Sequence, residues 1–268
     1  MSKSFLSKMI KPHPTALNGF QNQASAYVKA RPTYPKESLD FIANLLPPSS
    51  TKILDLGAGT GIMTDLLFKK GFQVTAVEPV QGMLDKLQEA LPQVTALKGN
   101  SWSIPVESNS QDAVVLAQCF HWFSDVKSLQ ELQRVLKPGG YLFLIWNMES
   151  RDRSEWIGKI RDLYEQHELS APQYRHGKWK EVFNTEEAKS LYTLPLQHQR
   201  FNNDIPTVRS LVWTRILSKS YVAILNEEEQ EKLRQKVEKV MDDYQFPADD
   251  NETFIYRHDT DLFWCQKK

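Results

Sequence analysis

The chain has 268 residues with 33 basic and 33 acidic side chains, a formal net charge of +0, and a length that suits one α/β domain with an elaboration. No run of Lys and Arg interleaves with aromatic residues, which argues against a nucleic-acid binder, and no apolar run approaches the length of a membrane span. Cys119 and Cys265 are too few for a disulfide framework, so we expect a reducing, cytoplasmic setting.

The N-terminal segment is basic. Residues 1–36 carry six Lys and Arg side chains and no acid. Transit peptides are also acid-poor, but they are Arg-rich and amphipathic, whereas Lys dominates here and Pro12 and Pro14 interrupt any helix. We therefore expect residues 1–19 to form a flexible tail, with a targeting signal as the alternative.

The most informative element is a buried strand that runs into a glycine-rich turn. Helices are predicted over 20–30 and 36–46, and the strand Ile53–Leu56 follows them. The next residues, Gly57–Gly61, place three glycines at alternate positions, where the missing Cβ atoms let the backbone pass close to a ligand. A helix should follow, and such a strand–turn–helix crevice suits an adenosine-type cofactor.

Asp55 separates two kinds of cofactor. A dinucleotide fingerprint has the form G-x-G-x-x-G and holds a pyrophosphate at a helix N-terminus. In this chain the third glycine comes one position early, and Ile62 stands where the fingerprint has Gly. Asp55 would repel a pyrophosphate but could hold a cationic ligand. A dehydrogenase is therefore the less favoured alternative.

Strands and helices alternate through the rest of the first half. Glu78 ends the second strand about twenty residues past the glycine turn, where an acid can accept hydrogen bonds from ribose hydroxyls. The alternation predicts right-handed crossovers and a mainly parallel sheet. The predicted strands after the first are Gln73–Glu78, Val94–Ser101, Asp112–Cys119 and, after the Leu136-Lys137-Pro138-Gly139-Gly140 turn, Tyr141–Trp146.

The second half of the chain does not continue this alternation of strands and helices. Residues 148–190 are polar and dotted with aromatic side chains, and we interpret them as a cap over the site. An apolar stripe on the last predicted helix favours core packing over a partner-binding face. The predicted elements are helices near Glu155–Glu168, Thr207–Leu225 and Glu227–Tyr244, a strand at Leu191–Phe201, and a last strand or hairpin at Phe254–Gln266.

These motifs, in this order, resemble those of the class I S-adenosylmethionine-dependent methyltransferases. Phe20–Tyr27, Arg31–Pro35 and the Leu-Lys-Pro-Gly-Gly element resemble a small-molecule subgroup with trans-aconitate methyltransferase-like and ubiquinone/menaquinone-biosynthesis enzymes. The resemblance implies a Rossmann-like α/β fold with a seven-stranded, mostly parallel sheet, flanking helices, a helical cap insertion and an antiparallel strand at the sheet edge. It implies a methyltransferase core over 20–147, the cap over 148–190, and completion of the same domain by 191–268.

The resemblance also implies S-adenosylmethionine as cofactor. Asp55 would help to hold its ammonium, Glu78 its ribose and Met83 its adenine. Relatives commonly have an acid at the position of Asn100, whose side-chain oxygen can still accept a hydrogen bond from the adenine amino group. The cofactor-binding candidates are Tyr27, Arg31, Asp55, Gly57, Ala58, Gly59, Gly61, Glu78, Met83, Asn100, Ser101 and Gln118. For Tyr27 and Arg31, packing or surface roles are equally open.

The expected reaction is methyl transfer to a small molecule, at oxygen and with a carboxylate slightly favoured. A carboxylate needs no base, whereas a hydroxyl or a carbon acid does, and His121 beyond the fourth strand is the candidate base. Local packing is the alternative role of His121. Trp146, Asn147 and Trp213 are candidate substrate contacts, and no metal site is predicted. C-methylation of a quinone-like ring and a non-catalytic methyltransferase-fold partner protein are the alternative functions.

Overall fold

The computed structural model of this protein describes residues 31–168 and 172–268. One sheet runs through these residues. Its strands are β1 (Lys52–Leu56), β2 (Gln73–Glu78), β3 (Thr95–Lys98), β4 (Gln111–Ala117), β5 (Leu136–Glu149), β6 (Gln197–Thr207) and β7 (Phe254–Gln266). They lie in the order β3-β2-β1-β4-β5-β7-β6.

Helices connect the strands. They are α1 (Lys36–Leu45), α2 (Ile62–Lys69), α3 (Gln81–Ala90), α4 (Val126–Val135), α5 (Glu155–Glu165), α6 (Glu186–Leu191), α7 (Arg209–Leu217), α8 (Ser220–Ala223) and α9 (Glu227–Asp243). Three short 3₁₀ segments lie at Phe120–Trp122, Tyr174–His176 and Lys178–Asn184.

The first five strands are parallel, which confirms the predicted α/β fold. β1 pairs with β2 and β4, β2 pairs with β3, and β4 pairs with β5, all in parallel. β7 runs antiparallel to both of its neighbours, β5 and β6. The carboxyl ends of β1, β2, β4 and β5 therefore lie along one edge of the sheet, where open α/β sheets bind ligands.

Apolar side chains cover both faces of the sheet. Leu54 belongs to a buried cluster with residues of α4 and α6, whereas the adjacent Ile53 packs with residues of α1 and α2. The period of two along a strand sends neighbouring side chains to opposite faces. Because both faces are covered, the strands read as nearly continuous apolar runs, as expected of a parallel sheet.

A third apolar cluster lies among α5, α7, α8 and α9, which we call the helical layer. Asn226 begins α9 with a capping box: its side chain accepts from the backbone N–H of Glu229, whose side chain accepts from the backbone N–H of Asn226. Leu233, Val237 and Met241 are buried against the layer, which confirms core packing for the predicted stripe.

Three features differ from the sequence-based expectations. β7 lies between β5 and β6 rather than at the edge, and the burial patterns agree with this order, since most side chains of β7 are buried whereas β6 is largely exposed, as suits an edge strand. β6 begins at Gln197 instead of Leu191, because Leu191 is the last residue of α6 and residues 192–196 connect the two elements. The predicted helix 207–225 is divided into α7 and α8 by Lys219, whose ψ of 128° is extended.

Within the described ranges, no helix combines the length and the apolar character that a bilayer crossing requires. The predicted helix 20–30 and the tail 1–19 lie outside the described residues.

Candidate active site

The glycine turn leaves β1 in a conformation that requires glycine. Gly57, Gly59 and Gly61 have φ values of 72°, 58° and 93°, in the left-handed region. A Cβ on Gly57 would lie 2.9 Å from Sγ of Cys119. The turn therefore passes close to the end of β4, and a bulkier residue at this point would force the two apart.

The first three backbone N–H groups of this turn already donate hydrogen bonds within the protein. The N–H groups of Gly57 and Ala58 donate to the carbonyl of Val77, at 2.8 and 3.2 Å. The N–H of Gly59 donates to Oε2 of Glu78 at 2.9 Å, and Oε1 of Glu78 accepts from Val80. A pyrophosphate-binding loop needs such donors for its ligand. This loop offers a carboxylate in their place, so its chemistry suits an adenosine cofactor without phosphates.

Asp55 lies buried behind the turn. Its Oδ2 accepts from Oγ1 of Thr64 at 2.6 Å, and its Oδ1 has no hydrogen-bond partner among the described residues. Burial raises the pKa of Asp55 to about 7, against the opposing hydrogen bond from Thr64. Burial likewise raises the pKa of Glu78 to about 7. A buried carboxylate oxygen without a partner is costly, and a cationic group nearby would relieve that cost. The residues therefore fit the ammonium-bearing S-adenosylmethionine.

A cavity opens beside the turn, and we call it the glycine-loop cavity. Tyr34, Ala117 and Gln118 form its other wall. Asp55 itself does not line this cavity. Its lining residues are Arg31, Pro32, Tyr34, Gly57, Ala58, Gly59, Thr60, Ile62, Met63, Ala117 and Gln118.

A second cavity adjoins the first, and Arg31 and Gln118 line both. We call it the cationic cavity because of its charged lining. Its other lining residues are His121, Trp122, Asn147, Met148, Glu149, Gln173, Tyr174, Arg175, Arg215, Lys219, Ser220 and Tyr221. Two neighbouring cavities that share a wall can hold two reactants side by side.

Gln118 stands at the junction in a strained conformation. Its φ is 61°, which is uncommon for a residue with a side chain. The side chain donates from Nε2 to the carbonyl of Asn147 at 3.0 Å, and this bond ties the end of β4 to the end of β5. Backbone strain of this kind persists where the surroundings enforce it, often at functional sites.

Asn147 and Asn203 fix the segment that carries Arg31. Both donate from Nδ2 to the carbonyl of Thr33, at 3.1 and 2.8 Å. Oδ1 of Asn147 accepts from Thr260 and Asn203. The side chain of Asn147, a predicted substrate contact, is therefore committed to this clamp, although the residue lines the cationic cavity. The guanidinium of Arg31 in turn donates to the carbonyl of Ser218 at 2.9 Å.

The charged lining of the cationic cavity centres on Glu149, whose side chain is 1% exposed. Its Oε1 lies 2.8 Å from Nζ of Lys219 and 3.1 Å from Nε of Arg215. Burial by itself would raise the pKa of Glu149, but these two cations hold that pKa well below its usual range. Burial lowers the pKa of Lys219 to about 8, against the attraction of Glu149.

Arg175 contributes a further cation to the wall. It forms ion pairs with Glu168 and, at 3.5 Å, with Glu165, both of which lie outside the cavity lining. Its charge is thus balanced by acids outside the cavity. Arg215 and Lys219 pair with Glu149, and Arg31 lies in the same lining, where Glu149 is the one acid among the described residues.

His121 lines the cationic cavity, but its protonation state argues against a role as the base. Its Nδ1 accepts from Nε1–H of Trp146 at 3.2 Å, so the proton of the neutral ring resides on Nε2. Burial and, to a smaller extent, Arg31 lower the pKa of His121 to about 3. The imidazole is therefore a neutral hydrogen-bond donor to the cavity.

Other predicted residues lie away from the two cavities. Trp146 is fully buried and stacks at 4.5 Å on Tyr174, so its role is packing and orientation of His121 rather than substrate contact. Trp213 packs against the helical layer and does not line the cationic cavity. Tyr27 lies outside the described residues.

The three predicted adenine-side residues also lie outside the cavity linings. Met83 is buried on α3 beside Gly59. Ser101 is buried and accepts from Oγ of Ser128, and Oδ1 of Asn100 accepts from the N–H of Trp102. Gly57, Ala58, Gly59, Gln118 and Arg31 do line the glycine-loop cavity, and Gly61 caps α2 directly behind it.

Sequence reasoning missed Glu149, Arg175 and Lys219. Two signals were present in the chain: Glu149 ends the fifth strand on the ligand side, and Arg215 and Lys219 are four residues apart beside an apolar helical stretch. Neither signal identifies a site by itself, because charged residues at such spacings are usually exposed.

Comparisons with known proteins agree with this geometry. Residues 54–144 match the family described as Methyltransferase domain. An uncharacterized methyltransferase of Mycobacterium tuberculosis, Rv3342, is 45% identical over 146 residues, which cover 54% of this chain and 57% of the relative. The matched stretch thus spans little more than half the length of that relative. The Schizosaccharomyces pombe methyltransferase-like protein C25B8.10 is 34% identical over 226 residues, 84% of this chain and 86% of that protein.

A solved structure shares the fold. It is that of a phosphoethanolamine N-methyltransferase 2 from Haemonchus contortus in complex with phosphomonomethylethanolamine and S-adenosylhomocysteine. It aligns with a TM-score of 0.53 and 18% identity over 96% of this chain and 62% of that one. The glycine turn with its two buried acids, the sheet order and the extended match in S. pombe lead to one conclusion: the chain belongs to the class I S-adenosylmethionine-dependent methyltransferases.

Proposed function

We propose that this protein transfers the methyl group of S-adenosylmethionine to an oxygen of a small-molecule carboxylate. The observation that carries the proposal is the pair of adjoining cavities that share Arg31 and Gln118. The glycine turn lines one of them. The described lining of the other contains the cations Arg31, Arg215 and Lys219 and a single carboxylate, that of Glu149. An excess of buried positive charge favours an anionic acceptor.

The cofactor would supply an activated methyl group. The residues of this chain would then bind the two reactants, align them and exclude water, which is where most of the rate enhancement of such a transfer arises. Asp55 and Glu78 would hold the cofactor from the side of β1 and β2. Gln118 would separate the two cavities while leaving them in contact.

The cationic cavity has no side chain well suited to remove a proton at neutral pH among its described residues. His121 holds its proton on Nε2, the pKa of Glu149 is held low by its cations, and burial raises the pKa of Tyr221. Lys219 stays largely protonated below its pKa of about 8. A carboxylate acceptor is already ionised and needs no base, which supports it over a hydroxyl or a carbon acid.

Two alternatives have less support. A quinone-like ring would displace water from charged side chains and could not replace the lost hydration with ionic contacts, which is unfavourable. A non-catalytic partner protein would have no use for a buried carboxylate oxygen left without a partner at Asp55. The two cysteines are free and buried, in keeping with the cytoplasmic setting that we propose for the protein.

The proposal is tested in two steps. Calorimetry first measures binding of S-adenosylhomocysteine, with NAD as the control ligand. Methyl transfer from labelled S-adenosylmethionine is then measured on a panel of small carboxylic acids, each matched with its primary amide and its alcohol. We expect binding of the first ligand alone, and base-labile methyl esters, identified by mass spectrometry, from acids alone.

Two outcomes would contradict the proposal. Wild-type protein that fails to bind S-adenosylhomocysteine would remove the cofactor assignment. Methylation of the alcohols or of an aromatic ring, with the acids inert, would keep the cofactor and replace the acceptor.

A further inference from the structure

Lys219 occupies an unusual place for an amine. It lies in the link between α7 and α8, with a side chain only 13% exposed, on the wall of the cationic cavity. Its Nζ lies 2.8 Å from Oε1 of Glu149 and 4.5 Å from the centre of the Tyr164 ring. An ammonium loses much hydration at such a site, so each remaining N–H donor needs a partner.

The charges around Lys219 do not balance. Arg215 uses the same oxygen of Glu149 at 3.1 Å, so one carboxylate serves two cations. Arg31 adds a third, since its guanidinium donates to the carbonyl of Ser218, the residue before Lys219. The described lining of the cavity therefore carries more positive than negative charge, which favours an anionic ligand.

Lys219 is better placed than its neighbours to meet that anion. Arg215 is packed beside the Tyr256 ring, 5.6 Å from its centre, and is tied to Glu149. Arg31 is tied to the helical layer through Ser218. An ammonium has three N–H donors, and the described hydrogen bond of Lys219 uses one of them, with Glu149.

We propose that Lys219 is a specificity-determining residue that binds the anionic group of the acceptor, and that Glu149 is a positioning residue that acts through Lys219. The inference rests on the proposed function and gives its acceptor site a named cation. Lys219 contacts the acceptor, whereas Glu149 holds the ammonium at the cavity wall and keeps it protonated.

Anion binding should then depend on pH in a defined way. The charged and titratable groups that face Lys219 are Glu149 on β5, Arg215 on α7, Arg31 on the N-terminal segment, Tyr164 on α5 and His258 on β7. Burial raises the pKa of Tyr164 and lowers that of His258 to about 3, and the neighbouring cations hold the pKa of Glu149 well below its usual range. Lys219 is thus the group of this set that loses charge as the pH rises through about 8.

The experiment uses malonate as the anionic probe and malonamide as its uncharged counterpart. Calorimetric titrations into the full-length protein, with and without saturating S-adenosylhomocysteine, compare wild type with Lys219→Met, Lys219→Arg and Lys232→Met. Lys232 lies on α9 with a side chain 66% exposed, and it serves as the matched control. Melting curves establish that each variant is folded.

We expect wild type to bind malonate and not malonamide. Lys219→Met should weaken malonate binding by about 10- to 100-fold, because a hydrogen bond to a charged group is lost. Lys219→Arg should bind within about threefold of wild type, as a retained cation predicts, and Lys232→Met should match wild type. Wild-type affinity should fall above about pH 8, whereas that of Lys219→Arg should persist, because a guanidinium does not titrate there.

Glu149→Gln supplies the readout for positioning. Without the carboxylate, the pKa of Lys219 should fall, and the pH at which malonate affinity drops should move to a lower value. A change in affinity with an unmoved midpoint would assign Glu149 a structural role only.

The inference and the proposed function can fail separately. Wild type that binds S-adenosylhomocysteine but not malonate, or Lys219→Met that binds malonate as wild type does, would overturn the inference alone. If Lys219→Met does not fold, Lys219→Arg provides the test. Malonate affinity that falls above pH 8 in Lys219→Arg, as it does in wild type, would also overturn the inference. Malonate binding that depends on Lys219 without any binding of S-adenosylhomocysteine would overturn the proposed function and keep the anion site.

Discussion

The glycine-loop cavity takes most of its wall from one stretch of chain, Gly57–Met63, whereas the cationic cavity draws its wall from segments spread between Arg31 and Tyr221. The first is governed by backbone conformation and by two acids at the ends of neighbouring strands. The second is governed by charges that meet only after the sheet and the helical layer have packed together. A local site can be recognised from a motif, but a dispersed one cannot.

The two cavities also differ in how they are held. The glycine turn is fixed by its own hydrogen bonds to β2. The cationic cavity depends on a clamp from Asn147 and Asn203 and on Arg31 reaching to Ser218. Changes in the first cavity should therefore act on cofactor binding directly, and changes in the second should act on the acceptor and on the stability of the clamp. Loss of the clamp should also reach the cofactor side, because Arg31 lines both cavities.

The largest effect is expected from a side chain in the glycine turn. Gly59→Val should weaken S-adenosylhomocysteine binding by about 100-fold or more, because a β-branched residue at a φ of 58° is strained and enters the cavity. Gly71→Val is the matched control, since its φ of 96° is also left-handed but it lies away from both cavities. Equal losses of affinity in the two variants, measured by calorimetry, would argue for a global effect of strain.

Asp55→Asn should separate cofactor binding from stability. The pKa of Asp55 is raised from 3.8 to about 7, so between these values the folded state binds more protons than the unfolded state. Ionisation of Asp55 should therefore lower the free energy of unfolding by an amount on the order of 4 kcal/mol as the pH rises from about 4 to 7, and the variant should lack this contribution but keep that of Glu78, whose pKa is also raised to about 7.

The same variant should bind S-adenosylhomocysteine about 10- to 100-fold more weakly, because the carboxylate no longer attracts the ammonium. Asp65→Asn, which removes an acid paired with Lys69 on α2, is the control. Unfolding in denaturant across pH gives the stabilities. An equal change of stability with pH in wild type and Asp55→Asn between pH 4 and 7 would contradict the buried, raised-pKa state of Asp55.

The clamp should respond to Asn203→Ala with a smaller change. The variant loses bonds to the carbonyl of Thr33 and to Asn147, which should cost about 1–3 kcal/mol of unfolding free energy, measured in denaturant. Cofactor affinity should fall severalfold, because Arg31 is no longer held at the junction. Asn202→Ala, at the exposed neighbouring position on β6, should change neither quantity. If the two variants behave alike, the clamp does not position Arg31.

The smallest effect is expected at His121. His121→Asn should reduce methyl transfer by less than about tenfold and leave the shape of the pH–rate profile between pH 5 and 8 unchanged, because the pKa of His121 is about 3. An acidic limb near pH 6.5 in wild type that disappears in the variant would restore the base role.

Much of the fold could be predicted from the sequence alone. The alternation of apolar strands and helices predicted the parallel strands, and the three glycines with Asp55 and Glu78 predicted the cofactor, because these signals depend on local backbone geometry and on neighbours along the chain. The predicted edge position of β7 was wrong. Whether a strand lies inside a sheet or at its edge depends on which other strands pair with it, and β7 pairs with both β5 and β6, which lie far from it along the chain.

The acceptor side was decided by tertiary structure. Lys219, Glu149 and Arg31 are separated by 70 to nearly 190 residues, and the charge excess exists only where β5, the N-terminal segment and the helical layer meet. Trp146 was predicted as a substrate contact because it lies at the end of the predicted fifth strand, yet packing against Tyr174 and Trp179 buries it. Burial and long-range pairing determine which polar residues face a ligand, and the order of residues along the chain does not encode either one locally.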